Sequence, residues 1–309
     1  MWWFFVFGQM LLTFTQNITM KPFRLLASVL SVFIMSCSGN GQHLKELGKT
    51  DLKEISALEY LPQSEALWSL EDSGNKNKLY KLDKDGKTLS ELTITNLKNT
   101  DWEELTSDGQ ENLYIGDFGN NDNKRTDLAI YKIDNAQLNQ KTAEATDKVS
   151  FSYPEQTEFP PKKSKMMFDC EAFFEFKGNF YLFTKNRSAK FDGSFYVYKV
   201  PNIPGNHKAQ LLGVMTTCKN FNRCAITAAD ISPDVNKAIL LTGDKIVVIS
   251  DFESGNFANG KTEMFELGFV SQKEGLCFID NDTLLIADEK DKHAGGKLYQ
   301  LKLSDLKAK

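Results

Sequence analysis

Beyond residue 43, apolar residues come in short bursts divided by polar turns, with no helix-period segment of useful length. The stretch Asp169–Val200 shows this most openly. Glu171–Phe176, Asn179–Thr184 and Ser194–Val200 are rich in aromatic and β-branched residues, and Lys177-Gly178 and the polar Asn186–Gly193 divide them. Runs of this kind with turn residues between them predict an antiparallel meander. A fourth run, Gln210–Met215, follows the loop Pro201–Pro204. The unit reads as one four-stranded blade of a propeller, and its layout recurs along the chain.

The first unit has Ile55–Tyr60, Ala66–Leu70, Lys78–Leu82 and Leu89–Thr95. The second has Trp102–Thr106, Asn112–Gly116, Leu128–Ile133 and Lys148–Tyr153. The third is the stretch above. The fourth has Ala225–Ile231, Ala238–Thr242, Lys245–Ser250 and Thr262–Leu267. The fifth has only Gly275–Ile279, Thr283–Ala287 and Lys297–Leu303. First-strand anchors at Leu58, Leu105, Phe173, Ile231 and Leu276 are 47, 68, 58 and 45 residues apart. A four-stranded blade needs about 40–50 residues, and polar loops absorb the excess. His43–Lys53 would supply the missing fourth strand of the last unit, closing the ring by pairing the two ends and hiding an edge. The expectation is therefore an all-β fold: a single β-propeller of four-stranded antiparallel blades over residues 43–309. Five blades are counted; six would follow if the long 105–173 gap hides a merged unit. Gln137–Asp147, the most helix-like segment, is polar enough to be a connection between strands.

The amino end stands apart. Met20-Lys21-Pro22-Phe23-Arg24 is a short basic start, Leu25–Met35 an apolar run of signal-peptide length, and Ile34-Met35-Ser36-Cys37 resembles a bacterial lipobox. That resemblance implies residues 1–36 as a lipoprotein signal, cleavage before Cys37, diacylation of its sulfur, and 37–42 as a tether. The alternative is an uncleaved signal anchor. Residues 1–19 fall outside the translated protein if synthesis begins at Met20. A lipid anchor would hold the domain on an extracytoplasmic membrane face, outer membrane or periplasmic, away from the reducing cytosol. Cys218 and Cys224 then form either a disulfide or two separate thiols, while Cys170 and Cys277 fall in apolar runs as buried thiols.

Composition narrows the chemistry. The net charge of −4 gives no broad basic surface, so nucleic acid is not an expected partner. Three scattered histidines and the absence of C-x-x-C leave little for zinc or for a Ser-His-Asp hydrolase. There is no G-x-S-x-G elbow, P-loop or G-x-G-x-x-G.

Carboxylates are what remain. The second inner strand begins Asp101-Trp102-Glu103, the third Asp169-Cys170-Glu171 and the fifth Lys273-Glu274-Gly275; the fourth contains Asp230. Residues i and i+2 share a strand face, so Asp101 points with Glu103, and Asp169 with Glu171. Inner strands line the channel, which would bring these acids to one axial site. Like charges held close raise one another's pKa or bind a cation, and hard oxygen ligands suit Ca²⁺ or Mg²⁺. The alternative is that they hydrogen-bond backbone and channel water. Asp230 is one position out of step with Glu103 and Glu171, and the first blade offers no acid here. A second band follows the second strands: Gly116-Asp117-Phe118-Gly119-Asn120-Asn121-Asp122 with Arg125, then Lys185 and Arg187, then Asp288 and Glu289. These would rim one mouth of the channel and meet a ligand, or be ordinary solvated turns.

Several of these runs resemble bacterial propellers of the esterase-like-phytase and SdiA-regulated groups. The resembling residues are Asp101-Trp102-Glu103-Glu104, Leu113-Tyr114-Ile115-Gly116-Asp117-Phe118-Gly119-Asn120-Asn121 with Arg125, Glu171-Ala172-Phe173 with Leu182-Phe183-Thr184-Lys185, Ala229-Asp230-Ile231-Ser232-Pro233-Asp234, and Glu274-Gly275. The resemblance implies the propeller fold and, from phytases of related architecture, Ca²⁺ bridging phosphate. Two functions follow. One is a membrane-anchored module binding a small molecule, glycan or protein, with a divalent cation in the channel. The other is a Ca²⁺-dependent phosphoester or ester hydrolase, with Lys185, Arg187 or Arg125 on the substrate anion.

Overall fold

A computed structural model describes residues 44–290 and 294–306. The signal sequence, Cys37, the tether and His43 lie outside the described residues.

Five antiparallel sheets follow one another along the chain. Blade 1 comprises Glu59–Leu61, Ala66–Leu70, Lys78–Leu82 and Thr88–Ile94. Blade 2 comprises Trp102–Ser107, Leu113–Asp117, Ala129–Ile133 and Asp147–Ser152. Blade 3 comprises Asp169–Phe176, Asn179–Lys185, Ser194–Pro201 and Gln210–Thr216. Blade 4 comprises Ile226–Ile231, Ala238–Thr242, Lys245–Ser250 and Lys261–Glu266. Blade 5 comprises Lys273–Phe278, Thr283–Asp288 and Lys297–Lys302. Its fourth strand is Lys45–Lys49 from the other end of the chain, antiparallel to Lys297–Lys302. The ring is five-bladed and closes by joining its ends.

Each blade is apolar on both faces because its alternate side chains serve different neighbours. Trp68, Leu79 and Ile94 of blade 1 pack on Trp102, Leu105 and Ile115 of blade 2. Tyr114 and Phe118 meet Phe173 and Phe180; Phe174 and Phe183 meet Leu240 and Ile249; Ile239 and Ile246 meet Leu276 and Ile286. Leu285 and Leu298 of blade 5 reach Ile55 and Leu58 of blade 1, completing the circuit. Burying a side chain of this size stabilises by about 1.5–3 kcal/mol, so each interface is a substantial share of the fold's cohesion.

The strand reading holds within a residue or two, except that the first inner strand is Glu59–Leu61 where Ile55–Tyr60 was expected and the closing strand ends at Lys49 where Lys53 was expected, and there are two additions. Thr142–Ala143, within the segment read as a connection, runs parallel to Thr88–Ile94 and gives blade 1 a fifth strand. Gly205–Lys208 does the same beside Asp147–Ser152 of blade 2. In both cases the third-to-fourth strand connection of one blade covers the outer edge of the blade before it. The tight turn at Lys177-Gly178 has φ of 51° and 76°, the paired positive values that a two-residue hairpin needs.

Candidate functional site at the channel mouth

The inner strands share a defect. In blade 2, Trp102 pairs with Asp117 and Glu104 with Gly116, leaving Glu103 without a cross-strand partner. Glu171 is the odd residue in blade 3, Thr227 in blade 4 and Glu274 in blade 5. In blade 1 Ile55 bridges Glu71 and Glu59 pairs with Trp68, so an extra residue falls there too. A β-bulge re-aims a side chain and bends the strand. Repeated around the ring, it turns Glu103, Glu171, Thr227 and Glu274 toward one cavity of about 760 Å³ at the channel mouth.

Asp101 and Glu103 do converge, as do Asp169 and Glu171, through the bulge rather than regular alternation. A Cβ on Gly119 would collide with the carboxylates of both Asp101 and Glu103, so only glycine allows the wall to close against them. Arg187 grips the second pair, its Nε 2.6 Å from Asp169 Oδ2 and its NH2 group on Glu171. Lys185 bonds Glu171 and comes within 4.0 Å of Glu274. The backbone N–H of Asn120 donates to Asp169 Oδ1 at 2.7 Å.

The second band divides. Asn121, Lys185, Arg187 and Glu289 line the cavity. Asp117, Asn120 and Arg125 do not rim it as expected. Arg125 bonds Asp117 Oδ1 at 2.9 Å and the Gly119 carbonyl at 2.9 Å. Asn120 accepts from Arg125 N and donates to the Phe168 carbonyl. The Asp117–Arg125 loop is a brace that uses its polar groups internally and holds Asp169 in place. Asp288 likewise turns inward, accepting from Lys297 N and Tyr299 Oη.

Asp230 belongs elsewhere. Its oxygens accept from Ile231 N and Phe278 N, both at 2.7 Å. It is electrostatically coupled to Glu59, further along the inner strands. The register that places Glu103 at the bulge puts Asp230 level with Thr106, three residues on. The one-position offset visible in the sequence was the sign.

Three contributors escaped the sequence reading. Blade 1 does supply an acid: Asp72 follows its second strand at the position of Lys185 and Glu289, and it lines the cavity. Aligning second strands instead of first strands would have found it. Phe221 and Asn222 form another wall, in a loop clamped by a Cys218–Cys224 disulfide with Cα atoms 5.5 Å apart. Phe221 lies 5.6 Å from the Arg187 guanidinium. Lys273, fully buried, donates to the carbonyls of Gly243 and Phe269 and to Ser271 Oγ, pinning a third wall. Burial pulls its ammonium down to about 8. Cys170 and Cys277 are buried free thiols.

Electrostatically the mouth is crowded with acid. Burial, then Glu171, Asp169, Asp101 and Glu274, push Glu103 well above the carboxylate range. Burial and neighbouring Glu274 raise Glu289 to about 9. Burial and Glu274 raise Asp72 to about 7. Burial lifts Glu171 to about 8 even though Lys185 and Arg187 pull it down. Burial works against the charged form of Lys185, yet Glu171 and Glu274 outweigh it. Among the described residues no three His, Cys, Asp or Glu side chains converge closely enough to hold a metal ion. The acids are spread around a cavity, and Asp169 and Glu171 are engaged by cations.

No protein-family model matches the chain, and no curated protein matches it. Solved structures do. The PQQ-bound aldose sugar dehydrogenase of Streptomyces coelicolor aligns with a TM-score of 0.50 at 11% identity, covering 84% of this chain and 97% of that one. A gluconolactonase of Xanthomonas campestris gives 0.45 at 11%, covering 85% and 89%. A Bacteroides caccae protein of unknown function gives 0.45 at 14%, covering 82% and 79%. The class is thus a β-propeller. At such identities the likeness concerns the fold alone.

Proposed function

We propose that this propeller is a binding module that takes a small polar ligand into its acid-lined channel mouth, and that a lipid on Cys37 holds it on an extracytoplasmic membrane face. The observation that carries the binding reading is the set of bulges. Glu103, Glu171 and Glu274 come from three blades to surround one cavity of about 760 Å³. That volume suits a small-molecule site. Carboxylates clustered against burial are expected where a ligand compensates them. The hydrolase reading draws less support, because Arg125, Lys185 and Arg187, its candidate anion contacts, are each bonded to the protein's own carboxylates.

The test is a thermal-shift screen of sugars, amines, amino acids and Ca²⁺ against the protein and against Asn222→Trp, which fills the mouth from an exposed wall position. A ligand that raises the melting temperature of the first and not the second supports the reading. Alongside, p-nitrophenyl phosphate and acetate are assayed with Ca²⁺ added or chelated. Turnover that disappears in a well-folded Glu171→Gln variant would replace this reading with the hydrolase. Membrane anchoring is tested by Cys37→Ala, which should shift the protein from the membrane to the soluble fraction.

A further inference from the structure

Resting on the reading of the mouth as a binding site, we propose its ligand class: an organic cation with at least two ammonium groups on a flexible apolar chain. One ammonium is received by Glu103 and the other by the Glu274–Glu289–Asp72 side. Among the described residues, five carboxylates line the cavity, Asp72, Glu103, Glu171, Glu274 and Glu289, against two cations, Lys185 and Arg187. Both cations are already bonded to Glu171 or Asp169. No cation among the described lining residues is left free to meet an anionic ligand.

Glu103 is the independent sign. It is 5% exposed, lines the cavity, and its carboxylate accepts no hydrogen bond from any described residue. A buried carboxylate without a donor is costly and rare, and an incoming N⁺–H is what it lacks. Lys185 shows how the mouth accommodates an ammonium, since its Nζ sits between Glu171 and Glu274. A bare metal ion fits less well. The cavity is far larger than an ion, and among the described residues no three acids converge to chelate one. Phe221 and Val270 in the lining offer apolar surface to methylenes between the ammonium groups.

The experiment is calorimetric titration of the protein at low ionic strength with putrescine, spermidine, n-butylamine, sorbitol and CaCl₂. Putrescine and spermidine should bind, with n-butylamine at least about tenfold weaker. Glu103→Gln should weaken putrescine roughly ten- to a hundredfold, the loss expected for one charge-assisted hydrogen bond. It should do so without lowering the melting temperature. Lys185→Met, which frees Glu171 and Glu274, should bind putrescine more tightly. Equal affinity for mono- and diamine, or an unchanged Glu103→Gln, overturns the proposal. Binding of sorbitol or Ca²⁺ in place of the amines overturns it too, while leaving the mouth a binding site. If no compound in either experiment distinguishes the protein from Asn222→Trp, the binding reading falls with it.

Discussion

Glu103 and Glu104 are adjacent in the chain and meet opposite fates. Glu103, at the bulge, opens onto the mouth among Glu171, Asp169 and Asp101, with Lys185 and Arg187 nearby. Glu104 is fully buried, at the register where the other blades carry Ala172, Ala228 and Gly275. Its Oε1 accepts from Leu105 N at 3.1 Å and its Oε2 from Ala229 N of blade 4 at 3.4 Å. Glu104 thus links two blades that are not neighbours. Beyond it, Glu59 accepts from Ser107, and Asp230 accepts from backbone. The mouth cluster has Lys185 and Arg187 beside a cavity; the deeper one is satisfied by backbone N–H groups and the Ser107 hydroxyl. The same residue type serves as a receptor in one place and as structure in the other. One unpaired backbone position decides which.

The largest effect should come from removing the mouth's counter-charge. Arg187→Ala leaves Asp169, fully buried, with Asn120 N as its remaining partner, and strips one cation from Glu171. Orphaning buried carboxylates in this way should cost about 3 kcal/mol, read from urea unfolding. A change under about 0.5 kcal/mol would mean that the mouth acids do not depend on their cations, and the contrast with the deeper cluster would collapse.

Acidity itself is the next test. Glu103 and Glu104 are both pushed well above their ordinary 4.5, and Glu289 to about 9. The folded protein therefore holds protons that the unfolded chain releases above about pH 4.5. Where the native state binds more protons, stability falls as pH rises. Unfolding free energies from urea titration should drop steadily from about pH 5 to pH 9, by at least ~2 kcal/mol in all. Rising stability over that range would show that these acids are ionised and paired in the native state.

Most of the ring could be read from the chain because each inner, second and third strand is an apolar burst between turn residues. Phe173-Phe174 and Leu240-Leu241 can only be covered on both faces, as successive blades cover them. Thr142–Ala143 and Gly205–Lys208 left no such mark, since edge strands of Thr, Asn, His and Lys resemble loop. The site was legible as acids at strand starts. What was hidden was the bulge, which depends on a pairing register that one strand alone does not carry. Asp117, Asn120 and Arg125 looked like a binding rim because a brace and a binding loop draw on the same residue types. Only their mutual bonds separate the two roles.

The disulfide sharpens the comparison on the mouth side alone. It closes a short loop carrying Phe221 and Asn222, and a link over that span contributes about 2 kcal/mol. Cys218→Ser with Cys224→Ser should lower stability by that amount and weaken whichever ligand the screen finds. The pH dependence of unfolding, shared with the deeper cluster, should keep its shape. A changed pH profile would mean that the Phe221 wall sets the acids' environment, not just the cavity's shape.

Glu104→Gln should have the smallest effect. If burial keeps this side chain neutral, the amide replaces one uncharged group with another of nearly the same shape. The Leu105 N–H keeps its acceptor, and the longer bond from Ala229 N is the one lost, at a cost of about 1 kcal/mol. Glu103→Gln should go the other way, removing the cost of burying an ionisable acid beside Glu171 and Asp169 and raising the urea midpoint above about pH 5. The pair of variants separates the regions by sign. If both destabilise by several kcal/mol, each glutamate is ionised and held by donors, and the mouth has no vacancy for a cation to fill.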